Sequence, residues 1–382
     1  MRCARTFGLK APDLAGIIPF PQHTAGVPMG GKSYSLDQSL ASLLGVTEIS
    51  DGDVLELRHI IEGGSIVDWP RLYFTSSGQV DEFLRSCEYD PENRLHVERL
   101  SDIHRGAVEY MRAALGIDVP ADLVRPQKPQ DIFLAASVPG PQRSPACMIL
   151  KVMHVIHHLE ARELLYHLPV SERQLFSRVE KRVSATVADM QELGFPIDNY
   201  QASQKTKDSL ITKLLSKRKD TAAQVFPRIR FRIITSQRKG ILQVMFYLKR
   251  HLLPFPYVIP GESANTLASE HCLFQEAFGI DLPQAEGLTW PVSNPFSHRN
   301  FRVVSIVVDV PVRVDDLADA SHRWLLSKFG HVVFIPTEFQ VFDKATYFLN
   351  ESGPAAHEHY KSRQIREVIG RLYPGRAAGD GE

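Results

Sequence analysis

From Glu338 to Phe342 the chain alternates polar and apolar residues, which predicts a strand with Glu338 and Gln340 on one face and Phe339 and Val341 on the other. Upstream, a helical pattern covers Ser35–Leu44, and Val54–Ile61 alternates like a strand. Helices are predicted at Val80–Ser86 and at Ser101–Leu115, the second with apolar positions Ile103, Ala107, Tyr110 and Met111. Six prolines from Pro120 to Pro145 then punctuate a stretch that reads as a linker and places a domain boundary there. Two long helices follow, Ala146–His167 and Ser171–Leu193, joined at Pro169, with Gly194 as C-cap and Pro196 as the stop. Next come a basic helix (Lys205–Lys219), a strand (Arg228–Ile234) and a helix (Lys239–His251). Phe301–Val310 reads as strand and Leu317–Phe329 as helix; Val332–Phe334 joins Glu338–Phe342 as further strand, and Asn350–Leu372 is mostly helical.

Strands and helices in this order predict an α/β (α+β) fold, a mixed β-sheet flanked by helices. The expected layout is an N-terminal α+β region over 1–145 of unassigned role, a sheet domain over 146–372 with its core at 200–361, and a disordered tail over 373–382. The chain has 382 residues, 43% of them apolar, and a net charge of zero, so bulk charge points to no polyanion partner. The distribution is uneven, however: residues 201–250 hold thirteen Lys or Arg against Asp208 and Asp220, which is where a phosphate-rich ligand would go. Four widely spaced cysteines with no C-x-x-C pair suit a reduced compartment and no zinc site. No apolar run approaches the ~18 residues of a spanning helix. A cytoplasmic protein without a membrane partner is expected.

The basic segment carries two candidate anion sites. Lys205, Ser209 and Lys213 recur every four residues and so share one stripe, with Leu210, Ile211, Leu214 and Leu215 beside it. Two ammonium groups flanking a hydroxyl could clamp a triphosphate; an ordinary solvated amphipathic helix gives the same pattern. Arg228, Arg230 and Arg232 alternate strictly with apolar residues, so three guanidinium groups share a face and repel one another unless anions or carboxylates lie between them. An edge strand exposing arginines to water is the alternative. Two further motifs point elsewhere. Gly26–Ser33 fits G-x-x-x-x-G-K-S with Lys32 as its lysine, but Pro19, Pro21 and His23 break the strand that should precede a phosphate-cradling loop. His154, His157 and His158 lie on one helical turn with Glu160 and Glu163 after them, without H-E-x-x-H spacing.

The block Glu338-x-Gln340, Glu351-x-Gly353-x-Ala355-Ala356-His357-x-x-Tyr360-Lys361 resembles the segment that closes the synthetase domain of RelA/SpoT-type alarmone synthetases. Three earlier segments resemble further elements of that family in the right order, so the resemblance covers roughly residues 200–361. Lys205-Ser209-Lys213 looks like its ATP-gripping helix, Arg232 matches its strand arginine, and Phe301 and Arg302 fall where a tyrosine and arginine accompany the guanine base. The resemblance implies a nucleotidyltransferase-like sheet domain and transfer of pyrophosphate from ATP to the 3′-hydroxyl of GDP or GTP. In that chemistry Glu338 would hold Mg²⁺ and act with Gln340 as the catalytic pair. Lys205, Ser209, Lys213 and Arg232 would neutralise the triphosphate, Phe301 would stack on guanine, and Arg302, His357, Tyr360 and Lys361 would complete the binding of substrates. Departures are Ser203 and Phe342 for family arginines, Ser305 for a histidine, Asn300 for a glycine, and Pro227 for the second magnesium-binding carboxylate. These leave open a catalytically degenerate guanine-nucleotide-binding regulator, and the Lys32 motif leaves open a P-loop NTPase. The basic block also permits RNA as acceptor without requiring it. No H-D-x-x-E-D element is present, so no alarmone hydrolase module is expected.

Overall fold

A single strand twelve residues long, Val332–Asp343, organises the sheet. The computed structural model describes residues 32–62, 72–216, 228–259, 262–282, 300–352 and 357–373. In chain order the described elements are β1 (Ser33–Ser35), α1 (Gln38–Leu44), β2 (Glu48–Ser50), α2 (Asp51–Glu62), α3 (Ser77–Ser86), α4 (Arg94–Ala113), α5 (Ala121–Val124), α6 (Gln130–Ser137), α7 (Arg143–His167), α8 (Glu172–Glu192), β3 (Ile197–Gln204), α9 (Lys207–Ser216), β4 (Ile229–Thr235), α10 (Gly240–His251), β5 (Ala264–Asn265), α11 (Glu270–Phe278), β6 (Val304–Arg313), α12 (Arg323–Phe329), β7 (Val332–Asp343), α13 (Lys344–Ser352) and α14 (His357–Leu372).

Five strands form a mixed sheet in the order β3-β4-β7-β6-β5, with β4 and β7 parallel and every other pair antiparallel. The mixed α/β architecture expected from the sequence is therefore present. Alternation gives the sheet two unlike faces. Phe231 and Ile233 of β4, Phe339 and Val341 of β7, and Ile306 and Val308 of β6 form a buried apolar face. Helix α8 packs against β3, β6 and β7, and α10 packs on β7 and α8. Tyr200 of β3 stacks on Phe231 with ring centroids 6.0 Å apart, and its hydroxyl lies 3.2 Å from Ser184 of α8. Pro336 and Pro311 fit within strands because each lies where one neighbour is missing. The β4 partnership starts only at Thr337, and β5 reaches only as far as Val304 and Ser305.

Several elements differ from the sequence reading. Val54–Ile61 is helix α2, not strand. Val54, Leu57, Ile60 and Ile61 are all buried, a three-to-four-residue spacing that only a helix turns to one side. Ser50 and Asp53 cap it reciprocally: Asp53 N donates to Ser50 Oγ at 3.1 Å, and Ser50 N donates to Asp53 Oδ2 at 3.0 Å. The proline-rich stretch contains α5 and α6, whose N-caps are Pro120 and Pro129, so these prolines start helices. Helix α7 begins at Arg143 and packs on α4, α6 and β7, and one apolar core runs from Leu44 to Val341. The 317–329 helix shortens to α12, because Asp319 accepts from the backbone N of Ser321 and His322 and holds them in a turn. Asn350–Leu372 divides into α13 and α14, and β3 has no counterpart in the sequence reading. The tail lies outside the described residues from 374 onward.

Candidate functional site

The other face of the sheet is polar, and strand register assembles it. Arg230 sits beside Glu338 and Arg232 beside Gln340 in the parallel β4–β7 pair. Ser203 and Gln201 of β3 lie opposite those two arginines, and Val307 and Ser305 of β6 lie opposite Glu338 and Gln340. Strand β4 is thus interior, flanked on both sides, which excludes the solvent-edge alternative for its arginines. The repulsion among three guanidinium groups is relieved by carboxylates from three elements. Arg228 pairs with Glu172 of α8, Arg230 with Glu338 of β7, and Arg232 with Glu351 of α13 at 3.4 Å.

Glu338 is the centre of this cluster, with its side chain 11% exposed. Lys205, in the turn between β3 and α9, places Nζ 2.6 Å from Glu338 Oε2, and Arg230 Nε lies 3.1 Å from the same oxygen. The Arg230 Nε–H is not aligned for a hydrogen bond, so that contact is an ion pair held by charge. Gln340 Nε2 donates to Glu338 Oε1 at 2.9 Å, and Gln340 Oε1 accepts from Arg232 Nε at 3.2 Å. Burial alone would raise the Glu338 pKa, but Arg230 and Lys205 outweigh it and hold the carboxyl at about 2. The Lys205 ammonium is pushed down, by burial first and by Arg230 as well, against the pull of Glu338 and of the more weakly acting Glu262.

The remaining predicted residues separate into those that join the cluster and those that do not. Lys205, Arg232, Glu338 and Gln340 converge. Lys205 precedes α9, so the stripe with Ser209 and Lys213 is broken at its first member. Ser209 is exposed on the first turn, where its N–H reaches Thr206 Oγ1 at 3.3 Å, and Lys213 is half-buried in the last turn. Phe301 is half-buried just before β6, its ring edge-on to Phe342 at 6.4 Å. The Arg302 backbone is fixed by Asn350, which accepts from its N at 3.1 Å and donates to its O at 2.7 Å, while the Arg302 side chain is exposed. On α14, the Tyr360 hydroxyl accepts from Gln364 Nε2 at 2.9 Å and Lys361 is exposed. His357 opens that helix; its side chain, with Pro227, Gly353, Ala355 and Ala356, lies outside the described residues. Arg230, named in the arginine alternation, and Glu351, named in the closing block, belong to the site although neither was given a site role, and Gln201 joins them without having been singled out. The strict Arg alternation signalled Arg230, whereas nothing local could show that β4 and β7 would be neighbours.

A resident Mg²⁺ needs about six oxygen donors in octahedral array, several of them anionic. On this face Glu338 Oε2 is taken by two cations and Oε1 by an amide, while Asp309, the next acidic residue along β6, lies 3.5 Å from His158 Nε2. Among the described residues no group of three His, Cys, Asp or Glu side chains could hold a metal ion. As arranged, these residues do not fit the metal.

Neither of the other two motifs forms a site among the described residues. Gly26–Gly31 lies outside them, and Ser33 opens strand β1, where a phosphate-cradling loop requires a helix. The histidines are packing groups. His158 stacks on Phe334 with centroids 3.9 Å apart, His154 stacks on His158 at 4.2 Å, and His157 Nε2 lies 2.9 Å from Tyr89 OH. Burial first, then His158 and Arg99, push the His157 pKa down to about 3, so the ring is neutral. A cavity of about 730 Å³ lies between α1, α2, α3 and α10, lined by Asp53, Glu56 and Lys249 among others, and contains none of the predicted site residues. No helix among the described residues is long and apolar enough to cross a membrane.

No family model matches the chain, and no curated protein does. Among solved structures it is similar to the small alarmone synthetase 2 from Bacillus subtilis, at 16% identity and a TM-score of 0.28, covering 56% of this chain and 95% of that one. It is similar also to the small alarmone synthetase 1 from Bacillus subtilis, at 15% identity and a TM-score of 0.28, covering 53% of this chain and 90% of that one. At those scores the likeness adds nothing to what sheet order and register establish.

Proposed function

We propose that the polar face of the sheet is a nucleoside-polyphosphate site on a nucleotidyltransferase-like domain, of the kind the sequence motifs suggest, binding ATP or GDP/GTP. The observation that carries this reading is the convergence of Lys205, Arg230 and Arg232 on one half-buried patch of the central strands, around Glu338 and Gln340. Cations held side by side in a partly desolvated site bind phosphate oxygens better than solvated surface charges do. Phe301, half-buried just before β6, offers an aromatic ring to a base.

Binding is better supported than transfer. A general base works best with a pKa near the working pH, and a carboxyl held at about 2 is a poor proton acceptor at neutrality. The second reading, pyrophosphate transfer from ATP to GDP or GTP, is favoured by the Glu338-x-Gln340 register and by Glu351, which reaches Arg232. Incubation with γ-labelled ATP, Mg²⁺ and GDP or GTP separates the two. Saturable nucleotide binding without labelled guanosine tetra- or pentaphosphate supports the binding reading. A labelled product that disappears in Glu338→Gln establishes the synthetase instead.

A further inference from the structure

Among the described residues, Lys205, Arg228, Arg230 and Arg232 each have a carboxylate partner from the protein itself. Arg228 faces Glu172, Arg232 faces Glu351, and Lys205 and Arg230 share Glu338. Glu262 adds a weaker attraction for Lys205. The pairs are not equivalent. Glu351 and Glu172 are 39% and 52% exposed, rim positions where an ion pair contributes little. Glu338 is 11% exposed and shared by two cations, with its second oxygen closed by Gln340. A carboxylate gripped this way presents one oxygen, Oε2, to an ammonium and a guanidinium, as a terminal phosphate oxygen would. A divalent cation placed on Glu338 would instead stand within a few ångströms of two positive charges.

Resting on the nucleotide-site reading above, we infer that Glu338 is a built-in counter-anion and not a metal ligand. It occupies the phosphate subsite of Lys205 and Arg230, and a polyphosphate enters by displacing it, with no divalent cation required. The incoming group must be a di- or triphosphate, because a single phosphate spans only the Lys205–Arg230 subsite that Glu338 already occupies. A longer chain also reaches Arg232, whose Nε is lent to Gln340 Oε1 at 3.2 Å while Glu338 is in place. Gln340 is then the relay. Its amide releases Glu338 Oε1 as the carboxylate swings out, and Arg232 is released with it.

The test is calorimetric titration of the full chain with GTP, and separately with inorganic pyrophosphate and monophosphate, in excess EDTA and in excess Mg²⁺. The proposal expects wild-type protein to bind GTP and pyrophosphate in EDTA and to bind monophosphate far more weakly. It expects Glu338→Gln to bind pyrophosphate about tenfold tighter, as removal of a competing charged partner should allow. Thermal unfolding of the variant with and without pyrophosphate shows whether it is folded. Should it not be, the wild-type comparison in EDTA still decides. Binding that requires Mg²⁺ and weakens in Glu338→Gln would overturn the counter-anion role while leaving the nucleotide site standing. Absence of binding under every condition would overturn the nucleotide site itself.

Discussion

Glu338 is a carboxylate that burial would neutralise and that two cations keep charged, which ties it to stability as well as to binding. Its folded-state pKa of about 2 lies below the ordinary 4.5, so its contribution is fully present above pH 4.5 and disappears as the pH falls through 2. A difference of that size is worth on the order of 3 kcal/mol. Glu338→Gln should therefore lower stability at neutral pH by roughly 2–3 kcal/mol, since Lys205 and Arg230 are left facing each other. Denaturant unfolding of both proteins between pH 2 and 7 checks this: the wild-type curve should fall between about pH 4.5 and 2, and the variant curve should be flatter there. Equal slopes would mean that the cluster is solvated and loosely paired. At this scale the sequence was informative about faces. Alternation showed that Arg228, Arg230 and Arg232 share a side and that Glu338 and Gln340 share a side. It could not show that these are the same side of the same sheet, because register between β4 and β7 joins residues more than a hundred apart.

Elements were legible where their period was long and their caps were chemical. Ser171 was placed at the start of a helix, and its side chain and that of Gln174 form a reciprocal cap there. Legibility failed at Val54–Ile61, where a short apolar pattern fits both periods and the deciding contact is the Ser50–Asp53 cap just outside it. It failed at β3 because an edge strand reading Ile-Asp-Asn-Tyr-Gln-Ala-Ser-Gln is poor in β-formers and pairs only with β4. The junction between β4 and α10 carries a test of its own. A Cβ on Gly240, the first residue of α10, would stand 2.7 Å from Pro196 Cγ and 3.2 Å from Thr235 Cβ. Alanine normally favours a helix over glycine by about 1 kcal/mol. Overpacking against the stiff Pro196 ring costs about 1–3 kcal/mol, so Gly240→Ala should destabilise. A raised Tm for that variant would show that the turn relaxes freely.

For the whole molecule, the sheet divides the labour: its apolar face anchors α8 and α10, and its polar face gathers charge from the turn after β3, from β4, β7 and α13. Helices on both sides of residue 145 share one core with the sheet, so loss of any of them is expected to be felt at the polar face. Thermal unfolding of the full chain should accordingly show one transition, raised by a nucleotide ligand; two well-separated transitions would contradict a shared core. The most direct measurement of the central claim is titration of GTP into wild-type protein and into the Lys205→Ala/Arg230→Ala double variant, followed by calorimetry. The account predicts saturable binding by the wild type and about a hundredfold loss in the variant, two charge-assisted contacts being removed together. Equal affinity of the two proteins, or no binding by the wild type, would contradict it.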